Sequence, residues 1–161
     1  MAVLNQNQFS KEKVLGQLDL SAAGISRAFT MRIDPDSASE DIIAGTGVAL
    51  KDGGANDPGG VPLVDVVGAD TTLATGGIII WTPKQGTFDA GDLVQCAQVG
   101  DVMVMNAVGA LARGVSVALD ASAPGTIQAL GSNAKIGVLL DKATAADQLV
   151  RVRIETAVAS T

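Results

Sequence analysis

The residues able to do chemistry in this chain are few, and their spacing narrows what they could do. Two carboxylate pairs, Asp89/Asp92 and Asp65/Asp70, could serve as the acid and base of a glycosidase. The same residues are ordinary turn formers, because Asp bonds its own backbone a residue or two on. A sugar cleft also favours aromatic platforms, and the chain offers one Trp and no Tyr. The single cysteine, Cys96, lies in the apolar run LVQCAQV, where buried packing is the expected role. A nucleophilic thiol needs a neighbouring base, and histidine, its usual partner, is absent from the sequence. That absence also removes the commonest metal ligand. The glycine-rich DGGANDPGG at 52–60 lacks the acidic spacing and terminal Glu of a calcium loop. No Gly-Lys-Ser/Thr follows it to cradle a phosphate. It reads as a hairpin or connecting loop. The expectation is therefore a chain with no catalytic residues, no metal and no cofactor.

The elements that would position these residues are short strands. Hydrophobic residues make up 47% of the 161, aromatics 2%, and the 19 glycines fall mostly between short apolar runs. Such a composition suits many strands joined by tight turns, packed on Val, Ile, Leu and Ala. Alternation marks RAFTMRI at 27–33, with Phe29, Met31 and Ile33 on one face. GGIIIW at 76–81 is a continuous apolar run suited to a strand buried on both faces. Gly100-Asp101 sits between two apolar runs as a tight hairpin. Further along, Val115, Val117 and Leu119 share a face, as do Ile136, Val138 and Leu140, and then Val150, Val152 and Ile154.

One phrase recurs. AGTGVALK at 44–51, AGDLVQCA at 90–97 and RGVSVALD at 113–120 each place Gly ahead of a short strand. Glycine admits a turn or bulge that other residues resist. After the first and third phrases comes a turn, a second strand and an apolar strand. Two readings are open: a divergent duplication of a β-meander, or chance likeness among Val/Ala/Gly-rich strings.

Charge divides the chain. Residues 1–32 hold four basic and two acidic side chains, and the remainder seven basic and fifteen acidic, for a formal net charge of −6. Clustered Lys/Arg with stacking aromatics, the signature of nucleic-acid binding, is missing. No segment is long and apolar enough to span a bilayer as a helix, and MAVLNQNQFSKEK lacks a signal core. Partners are thus expected to be neither nucleic acid nor membrane. Residues 1–26 keep no sustained period, since Gln, Asn, Ser and Gly interrupt each apolar run; SKEKVLGQL offers at most a turn or two of helix, weakened by Gly16. The segment still carries too many apolar residues for a solvated tail. It is expected to be an arm that orders on contact. The contact candidates are Val3, Leu4, Phe9, Lys11, Lys13, Leu15, Leu18, Leu20 and Ile25 within it and Arg27 next to it.

The strings IIAGTGVALKDGG, GGIIIWTPKQGTFDAGDLVQCA, VGDVMVMNAVGALARGVSVALD and KIGVLLDKATAADQLVRVRIE, in that order, resemble small bacteriophage capsid-decoration (cement) proteins. The similarity covers about residues 27 to 155. It implies a non-enzymatic structural protein on the outer face of an assembled phage head, made in the host cytoplasm. It further implies binding to the major capsid protein and self-association, a trimer ahead of a dimer. Such a protein cements adjacent capsid subunits and stabilises the head against internal DNA pressure. The fold class expected is mainly β: a compact β-barrel or β-sandwich-like body of short antiparallel strands at 27–161, with an extended N-terminal arm at 1–26. The alternatives are another virion module, such as a tail or spike domain, and a small β-fold hydrolase.

Overall fold

The computed structural model describes residues 13–19, 28–37, 41–51, 55–70, 72–82 and 87–155. Among them there is no helix, and the twelve strands are short, from two to seven residues. Ten of the strands close into two barrels of five. The first barrel is built from β1 (Ala28–Ile33), β3 (Gly47–Leu50), β4 (Leu63–Val66), β5 (Gly77–Ile79) and β7 (Leu93–Ala97). The second uses β8 (Val102–Ala107), β9 (Ser116–Leu119), β10 (Thr126–Ala129), β11 (Lys135–Leu139) and β12 (Gln148–Ile154). A small ladder joins β2 (Ile42–Ile43) to β6 (Thr87–Phe88). The mainly β class expected from composition is what forms, although the body holds two barrels.

The barrels share one plan. In each, the first strand runs parallel to the third in the chain order of that barrel (β1 to β4, β8 to β10) and antiparallel to the last (β1 to β7, β8 to β12). The remaining pairs, β3–β4, β3–β5 and β5–β7, recur as β9–β10, β9–β11 and β11–β12, all antiparallel. Single hydrogen bonds recur too. The amide of Gly45 donates to Ile79 O at 2.8 Å, and that of Gly114 to Leu139 O at 2.8 Å. Ile79 N–H donates to Thr46 O, and Leu139 N–H to Val115 O, both at 2.9 Å. The β2–β6 ladder pairs Ile42 with Phe88, and an isolated bridge pairs Leu111 with Ala143 at the corresponding place. Of the two readings of the recurring phrase, the structure shows a repeated unit.

The phrase itself explains why glycine leads it. Gly45 and Gly114 sit at φ 89° and 84°, a left-handed conformation that L side chains resist. The middle phrase belongs to a different position. Gly91, at φ 87°, precedes β7, and Asp147, at φ 60°, stands two residues before Leu149 as Gly91 stands two before Leu93. So the first and third phrases are counterparts of each other, while AGDLVQCA matches the ADQLVRVR that opens β12.

Two apolar clusters fill the body. Met31, Ile33, Val48, Val64, Ile79, Phe88, Val94 and Cys96 pack inside the first barrel, together with Ile42. The larger cluster fills the second barrel and extends to Val67, Ala74, Ile78, Ile80 and Ala97 of the first, so one core bridges both. Each fully buried Val, Leu or Ile contributes on the order of 1.5–3 kcal/mol. GGIIIW behaves as its unbroken apolar run suggests: Ile79 points into the first barrel while Ile78 and Ile80 feed the shared core. The seam is close. A Cβ placed on Gly47 would lie 2.2 Å from the Cδ1 of Leu119, so Leu119 is seated where only glycine leaves room.

Four local expectations change. The turn at Gly100-Asp101 forms, with Asp101 N–H donating to Gln98 O at 3.2 Å, but it closes no hairpin. The runs on either side, β7 and β8, enter different barrels, so the turn is the link between the repeats. In β11, Ile136 and Leu139 are buried and Val138 is half-buried, because the register slips between Lys135 and Gly137 and resets the alternation. Ala118, which alternates with Val117 and Leu119 and so falls on the face opposite theirs, is fully buried as well. Phe29 shares the face of Met31 and Ile33 yet is 52% exposed.

Candidate functional site: the leader seat and the exposed barrel edges

Residues 13–19 do not project from the body. They lie along β8 as an added strand. Gly16 N–H donates to Val104 O at 2.8 Å, Val104 N–H to Gln17 O at 2.9 Å, and Asp19 N–H to Val102 O at 2.8 Å. Leu18 stands opposite Met103 in this antiparallel bridge. A turn precedes it, with Gln17 N–H donating to Val14 O, and this single turn stands where the sequence offered a turn or two of helix. The physical reason for the seat is the length of β10. It meets β8 only at Asn106 and Ala107, which leaves the backbone of Val102–Val104 without a strand on that side. Unpaired buried amides are costly, and the leader supplies their partners.

Glycine fixes the approach. Gly16 has φ 74°, and a Cβ there would lie 2.6 Å from the Cβ of Ala44. Its carbonyl accepts from Trp81 N–H at 2.9 Å, so the leader also holds the first barrel. Leu15 rests over two further glycines, Gly45 and Gly125, where added Cβ atoms would come within 3.3 and 2.8 Å of it. The segment therefore wedges between the barrels, bonded to both.

A charge cluster secures its ends. Lys13 Nζ lies 2.8 Å from Asp141 Oδ2 and also donates to Leu149 O. Arg151 forks onto Asp141, from Nε and from NH2 at 2.8 Å, and reaches Asp19 Oδ2 from NH1 at 3.2 Å. Hydrogen bonds from Arg151, then from Lys13, hold the Asp141 carboxyl well below the usual carboxylate range, against the opposing effect of burial. Asp141 in turn raises the Arg151 guanidinium above its ordinary value, with Asp19 adding to it.

The remaining chemistry-bearing residues are structurally engaged. Burial pushes the Cys96 thiol up to about 12, and its side chain is part of the first-barrel core. Asp89 N–H donates to Asp92 Oδ2 and Asp92 N–H to Asp89 O, both at 3.0 Å, so that pair caps its own turn. Asp70 crosses to the second barrel, accepting from Ala121 N–H and Gln128 Nε2 at 2.7 Å each. Asp65 sits half-buried in β4 opposite Ala49. In the glycine-rich loop, Asp57 accepts from Val61 N–H at 2.8 Å and from Arg32 Nε at 2.7 Å. Those bonds, the Val61 amide first, lower its carboxyl from the ordinary value. Lys51 pairs with the buried Asp34 beside it.

Of the contact candidates read from sequence, Lys13, Leu15 and Leu18 are brought together at the leader seat. Val3, Leu4, Phe9, Lys11, Leu20, Ile25 and Arg27 lie outside the described residues. Sequence reasoning did not single out the exposed apolar positions within the body: Leu50, Leu93, Val99 and Val108, each 43–57% exposed, beside Phe29. Leu93 carried a signal, since it stands on the face of β7 opposite its buried neighbours Val94 and Cys96. Leu50 carried none, because its counterpart Leu119 is buried.

No family model matches the chain, and no curated protein matches it. Among solved structures it is similar to the N base of the head fiber protein gp8.5 of bacteriophage phi29, at 17% identity and a TM-score of 0.48, covering 83% of this chain and 97% of that one.

Proposed function

We propose that this chain is a structural component of a phage virion that binds the outer face of the assembled head and cements adjacent major-capsid subunits. The observation that carries the reading is where the decoration-protein-like strings fall. IIAGTGVALK supplies β2 and β3, GGIII and DLVQCA supply β5 and β7, VMVMNA and GVSVALD supply β8 and β9, and KIGVLL and LVRVRI supply β11 and β12. The resemblance thus rests on the strands that build the barrels.

The physical properties support a clamp. The two barrels share one apolar core, which suits a body that carries a contact from one end to the other. A stable protein contact buries about 800 Å² per partner. Many symmetry-related copies multiply such contacts, and avidity amplifies each. The exposed Leu93, Val99 and Val108 offer apolar anchor points on an otherwise acidic surface.

The test is co-sedimentation of the purified chain with expanded, DNA-free heads of the phage that encodes it. Saturable retention, and heads that survive heating or DNA packaging better with the protein than without, are expected. Heads that retain none of it would overturn the reading. Deleting residues 2–12, which leaves the seated 13–19 in place, is expected to weaken retention; unchanged retention would assign the capsid contact to the barrels alone.

A further inference from the structure

Each strand of one barrel has a counterpart in the other, and at one place the two barrels differ. On β8, the stretch Val102–Val104 extends past β10 and is covered by the leader. β1 is the counterpart of β8. It meets β4 only at Arg32 and Ile33, so Ala28–Thr30 likewise extends past its parallel neighbour. The backbone directions agree: Arg32 N–H donates to Pro62 O at 3.0 Å, as Asn106 N–H does to Gly125 O at 3.0 Å. With a period of two, Ala28 and Thr30 turn their N–H and C=O groups to that same side. Yet Val102, Met103 and Val104 are buried, and Ala28, Phe29 and Thr30 are exposed. Phe29 is 52% exposed where its counterpart Met103 is 0%.

The leader contains a second segment of the right kind. VLNQNQFS at 3–10 repeats VLGQLDLS at 14–21: Val, Leu, Gln and Ser recur in place, and Phe9 matches Leu20. The position of Gly16, at φ 74°, is held in the first phrase by Asn5. Asn is among the residues that best tolerate a left-handed backbone after glycine. One phrase is used on β8, and one edge of the same design has no strand beside it among the described residues.

The seat on β8 uses both barrels of one chain. Residues 14–19 are wedged between β8 of the second barrel and the Ala44–Gly45 turn of the first. The counterpart of that turn, Arg113–Gly114 on the second barrel, is exposed, and a Cβ on Gly114 would meet nothing within 4 Å. Leu50 tells the same story: it is 43% exposed, while its counterpart Leu119 is seated against Gly47. The contact between barrels is head-to-tail, Leu119 of the second against Gly47 of the first, so the equivalent surfaces at Leu50 and Gly114 are left exposed.

We propose that the open edge of β1 at Ala28–Thr30 is closed by residues Val3–Ser10 of a second copy of the chain. The added strand runs antiparallel and places Asn7 opposite Phe29, as Leu18 stands opposite Met103. The inference concerns the isolated protein and does not depend on capsid binding, so the two readings fail separately.

The test is a crosslink in the full-length chain carrying Asn7→Cys with Phe29→Cys. The native Cys96 stays out of it, being fully buried with its thiol pushed up to about 12. Mild oxidation is expected to give disulfide-linked oligomers on a non-reducing gel, absent from each single variant and from Asn7→Cys paired with Ala146→Cys. A bond formed within one chain would overturn the assignment to a second copy. No bond beyond the controls would overturn the docking site. A second measurement needs no substitution: hydrogen exchange at the Thr30 amide. It is expected to be slowed at least ~100-fold in the full chain at high concentration, and to lose that protection on deleting residues 2–10. The Val104 amide should be unaffected by the deletion. Thr30 exchanging freely in the full chain would sink the proposal.

Discussion

At the scale of single residues, glycine does the work that keeps so many short strands in register. Gly77 and Gly91 both have φ between 80° and 105°, so alanine is strained at either. They differ in room. A Cβ on Gly77 would lie 2.1 Å from Ala97 O, and one on Gly91 would meet nothing within 4 Å. Gly77→Ala is therefore expected to lose about 3 kcal/mol or more, and Gly91→Ala about 1 kcal/mol, in chemical denaturation. Equal losses would remove crowding as the cause. Gly91→Asn is expected to cost less than Gly91→Ala, because the second repeat already places Asp147 at that position with φ 60°.

Among the elements, the leader strand has the most to lose from a change of charge. Asp141 joins Lys13 and Arg151, and its folded-state carboxyl is held below the ordinary value. A depressed carboxyl stabilises the fold above the unfolded pKa, near 4, and that contribution is lost as pH falls through the folded value. Stability is thus expected to decline on acidification below about pH 4, with Asp141→Asn flattening the decline. At neutral pH, Asp141→Asn should cost about 1–2 kcal/mol, since Arg151 is partly solvated and the pair screened. An unfolding curve with the same pH slope in both proteins would assign the acid response to other carboxylates. The hydrogen exchange of Val104 should quicken in the variant, since its amide bonds to Gln17 O.

For the whole molecule, the seam between the barrels decides whether the chain unfolds as one body. Leu119→Ala leaves a void beside Gly47 and is expected to cost about 2–4 kcal/mol. Leu50→Ala, at the exposed counterpart, should cost the monomer less than about 0.5 kcal/mol. Both transitions are expected to remain single, because one apolar cluster spans the two barrels. Two separated transitions in the wild-type chain would contradict a shared core.

Much of this was already written in the residue order. The aliphatic, glycine-punctuated pattern determined a body of short strands, and period-two alternation located β1, β9 and β12 and gave the buried face of β12, because side chains must alternate across a pleat. Glycine spacing marked the repeat, since left-handed turns restrict which residue can stand there. Partner choice was beyond it. Alternation says which residues share a face, not which strand lies alongside, so the turn at 98–101 read as a hairpin although its strands part into separate barrels. The register slip in β11 was hidden for the same reason, as it depends on how Lys135 and Gly137 meet β9. Only the tertiary structure seated residues 13–19 on β8, because that seat is created by β10 ending early, far along the chain from the leader that fills it.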